Sequence, residues 1–264
     1  MIGGSGLYEL LSDAETGRAD TPYGPPSEPP LIGRLGSRTV AFLPRHGRDH
    51  RFAPHLVPYR ANLWALRSLG VRQIFAVAAV GSLRPDLGVG SLVIPDQVVD
   101  RTYGRPHTFY GRPGRVAHVP FADPYCPVGR RVVAQAARAQ GWEPVESATL
   151  VVVQGPRFSS RAESRFHAAQ GWSIVNMTGQ PEAGLARELG LCYTTIAIVT
   201  DLDAGLREGE GVTEADVFQA FERSIARVRT LLATVVEEAP VEPACSCADV
   251  PPIPDSPPPP GSPS

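Results

Sequence analysis

Two carboxyls one residue apart, Asp201 and Asp203, follow directly on the apolar run C-Y-T-T-I-A-I-V-T that begins at Cys192. A run of that composition reads as a strand buried on both faces, and ligands in open α/β sheets bind outside the carboxyl ends of such strands. Carboxyls placed there suit a partner that donates hydrogen bonds or exchanges a proton. Other reactive residues stand at comparable points. Arg45-His46 follow R-T-V-A-F-L-P, Gly81-Ser82 follow Q-I-F-A-V-A-A-V, and Phe158-Ser159 follow the run ending at Gln154. Met177-Thr178 follow S-I-V-N, and Ser5 lies in M-I-G-G-S-G-L. Arginine, histidine, serine and threonine beside exposed backbone amides suit a tetrahedral oxyanion such as phosphate.

Each cluster also has a plainer reading. Asp201-Leu202-Asp203 could be a solvated turn or a magnesium site, but the EF-hand register fails because Gly205 occupies the fifth ligand position. Arg45-His46-Gly47 could be a solvated basic turn. The turn at Gly4-Ser5-Gly6 lacks the third glycine of the dinucleotide fingerprint, Glu9 standing in its place. One cluster at a strand end would be unremarkable. Six of them, brought to one side by parallel strands, point to a ligand crevice.

Holding these residues requires an ordered set of elements. Apolar runs predict strands over residues 38–43, 73–80, 91–95 and 148–154, a short one before Asn176, and one from Cys192. Helical spacing predicts helices over residues 58–69 and 128–140, after the turn at Gly179, and over residues 214–238. Ser160 with Glu163 three residues on predicts a capping box and another helix. Residues 20–30 read as loop, and residues 100–114 as a long ordered loop. The alternation predicts an α/β fold, a single domain with one mixed central β-sheet flanked by helices over residues 1–239. Residues 240–264 shift to proline and serine and predict a disordered tail.

Composition narrows the partners. The 264 residues carry a formal charge of −2 with both signs interspersed, which gives no electrostatic footprint for nucleic acid. No apolar run reaches the roughly 18 residues of a membrane span, and the start has neither the basic nor the apolar region of a secretory signal. Cys126 and Cys192 lie in segments that fold, whereas Cys245 and Cys247 lie in the tail, a poor disulfide framework. Cys245-Ser246-Cys247 could bind metal or close a strained disulfide. With no second Cys or His pair near it in sequence, it reads as tail. A cytoplasmic, reducing setting is expected.

Taken together, G-G-S-G-L, P-R-H-G-R, Y-R-A-N-L-W-A-L, A-V-G-S-L, H-V-P-F-A-D-P-Y-C-P, G-P-R-F-S-S-R-A-E-S, N-M-T-G-Q-P-E and T-D-L-D resemble the purine nucleoside phosphorylase family, above all its S-methyl-5'-thioadenosine phosphorylase branch. The resemblance covers residues 2–238. It implies a homotrimer, inorganic phosphate as cosubstrate, and no metal or organic cofactor. By matching position, Ser5, Arg45, His46 and Thr178 would contact phosphate, with backbone from Ala78 and Ala79. Met177 would lie under the ribose, Phe158 and Ser159 beside the base, and Asp201-Leu202-Asp203 along the purine edge, with Asp201 and Asp203 as the catalytic carboxyls. His118 would reach a neighbouring subunit's 5' group. The resemblance implies phosphorolysis of S-methyl-5'-thioadenosine to adenine and 5-(methylthio)ribose 1-phosphate, with a broader action on 6-oxopurine or 5'-hydroxyl nucleosides as the alternative. Ala78 departs from the threonine of many relatives.

Overall fold

The computed structural model describes the chain except Ser5, Gly6, Tyr8, Glu9, Ala19, Arg112, Gly114, Arg115, residues 205–210, Pro252 and residues 254–264. In chain order the first half holds β1 (Ile2–Gly3), β2 (Ser12–Thr16), β3 (Leu31–Leu35), β4 (Arg38–Pro44), α1 (Tyr59–Ser68), β5 (Gln73–Ser82), β6 (Leu92–Val93) and β7 (Gln97–Arg101). The second half holds α2 (Pro127–Ala139), β8 (Thr149–Val153), α3 (Arg161–Ala169), β9 (Ile174–Asn176), α4 (Gly179–Glu188), β10 (Cys192–Leu202) and α5 (Glu214–Glu238). The predicted capping box of α3 is present, with Ser160 accepting from the Glu163 amide and Glu163 accepting from the Ser160 amide.

These strands form one mixed sheet in the order β2-β3-β4-β1-β5-β9-β8-β7, with β10 along the other edge of β5 and β6 beyond it. β5 and β10 lack the alternation of a half-exposed strand because helices cover both faces. On one face, Phe75, Val77, Ile196 and Ile198 pack with Val132 and Val133 of α2 and Val228, Leu231 and Leu232 of α5. On the other, Ile74, Ala76 and Tyr193 pack with Leu63, Trp64 and Leu66 of α1 and Ala183, Leu185 and Ala186 of α4. Each fully buried Leu or Ile in these layers contributes about 1.5–3 kcal/mol.

The expectation that parallel strands bring the clusters to one side needs correction. β4, β1, β5 and β10 run one way, but β9 pairs with β5 antiparallel, and β8 and β7 follow β9. Two parallel sets therefore meet along β5. β1 pairs with β5 at Ala76 and β9 joins the same edge only at Gly81. Between those points the edge forks, and the carboxyl ends of β4 and β9 approach the fork from opposite directions.

Three strands escaped the sequence. β2 is S-D-A-E-T, exposed throughout and without an apolar face. β3 pairs between β2 and β4, and β7 occupies part of what reads as loop. The tail also differs from expectation. Gln73 Nε2 donates to the Pro240 carbonyl at 2.6 Å, a 3₁₀ turn forms at Ser246–Ala248, and Cys247 and Ile253 are buried. Proline-rich composition masks these two anchors, so packing continues past residue 240.

α2 meets β10 so closely that a Cβ on Gly129 would overlap the Thr194 hydroxyl. Gly129→Ala should overpack this contact and cost about 1–3 kcal/mol, read as a lower urea midpoint with an unchanged slope.

Candidate active site

The fork in the sheet is a gap in a hydrogen-bond ladder. Val77 faces it and its carbonyl accepts from Arg45 Nη1 at 3.0 Å, while Gly81 pairs with Val175 on the same edge. Backbone groups alternate sides along a strand. The N–H and C=O of Ala79, midway between those residues, therefore also point into the gap, and no strand pairs with that edge there among the described residues. By the same alternation the Ala78 backbone faces β10. The two alanines adjoin in sequence, but the register turns their backbone groups to opposite edges of β5.

Arg45 ends β4 beside this gap and is 4% exposed. A guanidinium so far from water needs a paired anion. Glu182, at 0% exposure, supplies it: Arg45 Nε donates to Oε2 at 2.8 Å and Nη2 to Oε1 at 2.9 Å. Tyr193 donates its hydroxyl to the same Oε1 at 2.7 Å. The pairing holds Arg45 well above its ordinary pKa against the opposing effect of burial. Glu182 went unassigned in the sequence, although the motif Q-P-E contains it; what singles it out is a buried cation across the sheet.

His46 is next. Its Nδ1 lies 2.8 Å from the Phe52 carbonyl, which can only accept, so Nδ1 carries the hydrogen. Burial depresses the imidazole to about 4, against the raising effect of the Phe52 bond and helped by Arg45 and His50. At neutral pH the ring is uncharged, with a lone pair on Nε2. It stacks on His50 at 4.4 Å, and Phe218 of α5 meets His50 edge-on.

Across the fork, Asn176 Oδ1 accepts from the Thr178 and Gly179 amides at 3.3 and 3.2 Å. Asn176 thus does the capping of α4, and the Thr178 side chain is not spent on it. Met177 is held from two sides. Gly155, at φ +63, brings its backbone so near that a Cβ would lie 2.5 Å from the Met177 sulfur. Arg105 Nη1 donates to the Met177 and Gln180 carbonyls at 2.9 and 2.6 Å, and Nη2 to the Gln154 carbonyl at 2.7 Å. Arg105 therefore ties the end of β8 to the turn between β9 and α4. It comes from the loop at residues 100–114, whose length is the sequence signal.

The carboxyls stand at the far end of the gap. A β-bulge interrupts β10 between Val199 and Asp201, and Thr200 donates to Asp201 Oδ2 at 2.9 Å. Burial raises Asp201 to about 6, the Thr200 bond opposes this, and Asp203 and Asp216 push it further up. Asp203 is 3% exposed, and its Oδ2 has no partner among the described residues. Gly81 makes room for both: a Cβ there would lie 2.9 Å from Asp201 Oδ1 and 3.4 Å from the Asp203 Cβ. His167 of α3, which the sequence did not mark, feels the Asp203 charge, while burial lowers its imidazole.

The other expected residues divide. Leu202 ends β10, and Phe158 and Ser159 are half-buried on the loop between β8 and α3. His118 is exposed in the segment between β7 and α2. Ser5 lies outside the described residues. A separate cleft of about 540 Å³, lined by Asp96, Gln97, Thr149 and Trp172, opens at the amino ends of β7 and β8, away from the clusters. It gathers neither the basic residues nor the carboxyl pair.

A break in the sheet beside Arg45, with a raised carboxyl at Asp201, sits in a mixed α/β fold of the nucleoside phosphorylase kind. The chain belongs to the phosphorylase superfamily, whose family model matches residues 1–238. It is 57% identical over 248 residues to an S-methyl-5'-thioadenosine phosphorylase of Mycolicibacterium smegmatis, covering 93% of each chain. It is 54% identical over 256 residues to a purine nucleoside phosphorylase of Streptomyces coelicolor, covering 94% of this chain and 91% of that one. The structure of methylthioadenosine phosphorylase from Schistosoma mansoni in complex with adenine superposes with a TM-score of 0.88 at 39% identity, covering 94% and 93% of the chains.

Two outcomes test the geometry. Glu182→Ala strands Arg45 as a buried cation and should cost about 3–5 kcal/mol in denaturant unfolding. Asp201 has the opposite sign. Its folded pKa near about 6 exceeds the ordinary carboxyl value of 3.8, so folding loses stability as pH rises between them. Asp201→Asn should therefore raise the thermal midpoint at pH 7.5, and the gain should vanish below pH 4.

Proposed function

We propose that the chain catalyses phosphorolysis of S-methyl-5'-thioadenosine, releasing adenine and 5-(methylthio)ribose 1-phosphate. The observation that carries this is the ladder gap in β5 with Arg45 and Asn176-Thr178 at its sides and an elevated carboxyl, Asp201, at its end. Phosphate is the cosubstrate in this reading, and neither a metal nor an organic cofactor takes part in the reaction.

The Ala79 amide, the Arg45 N–H groups left over from Glu182, and the Thr178 hydroxyl bind phosphate oxygens, joined by Ser5. Neutral His46 offers Nε2 as an acceptor, which matches the single O–H of hydrogen phosphate. A phosphate oxygen attacks the anomeric carbon from the face opposite the base, a C–O bond forms, and the bond to purine N9 breaks with its electron pair going to the base. Positive charge on the sugar is stabilised by the anion below it. Met177 supports the ribose from beneath, and Phe158 and Ser159 flank the base.

Negative charge on the departing purine is quenched by a proton from Asp201 to N7. A carboxyl poised near about 6 is a better acid at working pH than an ordinary aspartate. Adenine offers an acceptor at N7 and a donor at its 6-amino group, whereas 6-oxopurines show two acceptors on that edge. A protonated carboxyl can donate to one and accept from the other. Asp203, buried with a free oxygen, raises Asp201 and adds a second acceptor beside Leu202.

A broader purine nucleoside phosphorylase is the second reading, favoured by the name of the Streptomyces coelicolor relative. A homotrimer, in which exposed His118 reaches a neighbour's 5' group, and a cytoplasmic role in purine and methionine salvage complete the proposal. Among the described residues no helix is long and apolar enough to cross a membrane.

Methylthioadenosine, adenosine and inosine, assayed side by side with and without phosphate, decide among these. Phosphate-dependent adenine release fastest from methylthioadenosine is expected; release in phosphate-free buffer would indicate a hydrolase. Asp201→Asn should lower kcat/KM for methylthioadenosine by about 10²–10⁴-fold and shift preference toward inosine. An unchanged inosine-to-methylthioadenosine ratio would remove Asp201 from base recognition.

A further inference from the structure

The four cysteines meet. Cys126 precedes α2, Cys192 opens β10, Cys245 precedes the 3₁₀ turn of the tail and Cys247 lies within it. Their sulfurs all lie within 4.8 Å of one another, with Cys192 Sγ 3.4 Å and Cys126 Sγ 3.7 Å from Cys245 Sγ. We propose that Cys126, Cys192, Cys245 and Cys247 bind one zinc ion that pins the carboxyl-terminal segment to the domain.

Geometry supports zinc first. A tetrahedral zinc with bonds of about 2.3 Å spaces its sulfurs about 3.8 Å apart, inside the observed range. An iron–sulfide cluster would need the thiolates spread around several atoms, whereas these close on one point. Disulfide pairing would draw them into two bonded couples, yet all four are free and mutually near. Burial is the second support. Cys126, Cys192 and Cys247 are buried, with Cys245 half-covering the group. Soft thiolates closed on all sides match a structural site, with no open position for water or substrate.

The surroundings also favour thiolates. Cys126 is the N-cap of α2 and its sulfur accepts from the Gly129 amide at 3.4 Å, at the positive end of the helix. A dication can hold all four as thiolates. Cys192 and Asp201 stand at opposite ends of β10, about 30 Å apart at ~3.3 Å per residue, so the ion has no part in phosphorolysis. The pair that looks unsupported in sequence is completed by two cysteines that lie far from it along the chain.

The test uses the full chain purified under reducing conditions without chelators. Elemental analysis should find one zinc per chain. Replacement by cobalt should give the visible bands of a tetrahedral cobalt thiolate. Cys245→Ser/Cys247→Ser should lose the metal, lower the thermal midpoint by roughly 5 °C or more, and admit proteolysis after residue 240, with phosphorolysis retained at 25 °C. Should that variant not fold, chelator-driven zinc release from the unaltered chain, followed by alkylation of four thiols, gives the same answer. Metal-free protein with four alkylatable thiols, iron in place of zinc, or two disulfides in a non-reduced peptide map would each overturn the assignment.

Discussion

A guanidinium that cannot reach water fixes much of this molecule. Arg45 is held by Glu182, and Glu182 in turn by Tyr193, so the end of β4, the first turn of α4 and the start of β10 are bound through one charge pair. Attraction of this kind barely outweighs the cost of desolvating both ions, and removing one partner exposes that cost in full. The pair is therefore weak support for stability but strict about geometry. Arg45 can present its remaining N–H groups in few directions, and they flank the gap beside Val77. A free surface arginine would lose side-chain entropy on meeting an anion; this one has lost it already.

The carboxyl end of the site follows the same logic with opposite sign. Asp201 is raised because the bulge in β10 and the absent side chain of Gly81 let two carboxyls settle on a buried floor. The resulting strain is electrostatic and local. Beside it, Asp203 Oδ2 is buried with no hydrogen-bond partner among the described residues.

Much of this was legible in the sequence. The continuous apolar runs of β5 and β10, the helical spacing of α1, α2 and α5, and the Ser160–Glu163 box carry signals set by neighbours in the chain. The clusters at Arg45, Thr178 and Asp201 were legible because each ends such a run. What stayed hidden depends on distance. β2 has no apolar face to betray it, and the antiparallel docking of β9 is set by a register between segments far apart. Glu182, His167 and the separation of Ala78 from Ala79 follow from that register. So does the fate of the tail cysteines, since nothing near Cys245 in sequence announces Cys126 or Cys192.

The fork along β5 has one more consequence. Unpaired backbone on a strand is a template for another strand, and exposed edges of this kind invite aggregation. Here the bare stretch lies between two strands of its own sheet, with the Arg45 side chain laid across the Val77 carbonyl. An ion can enter such a notch, but an extended chain cannot lie along it. The protein thus carries an open edge that is safe by its shape: short, recessed, and selective for guests without a backbone.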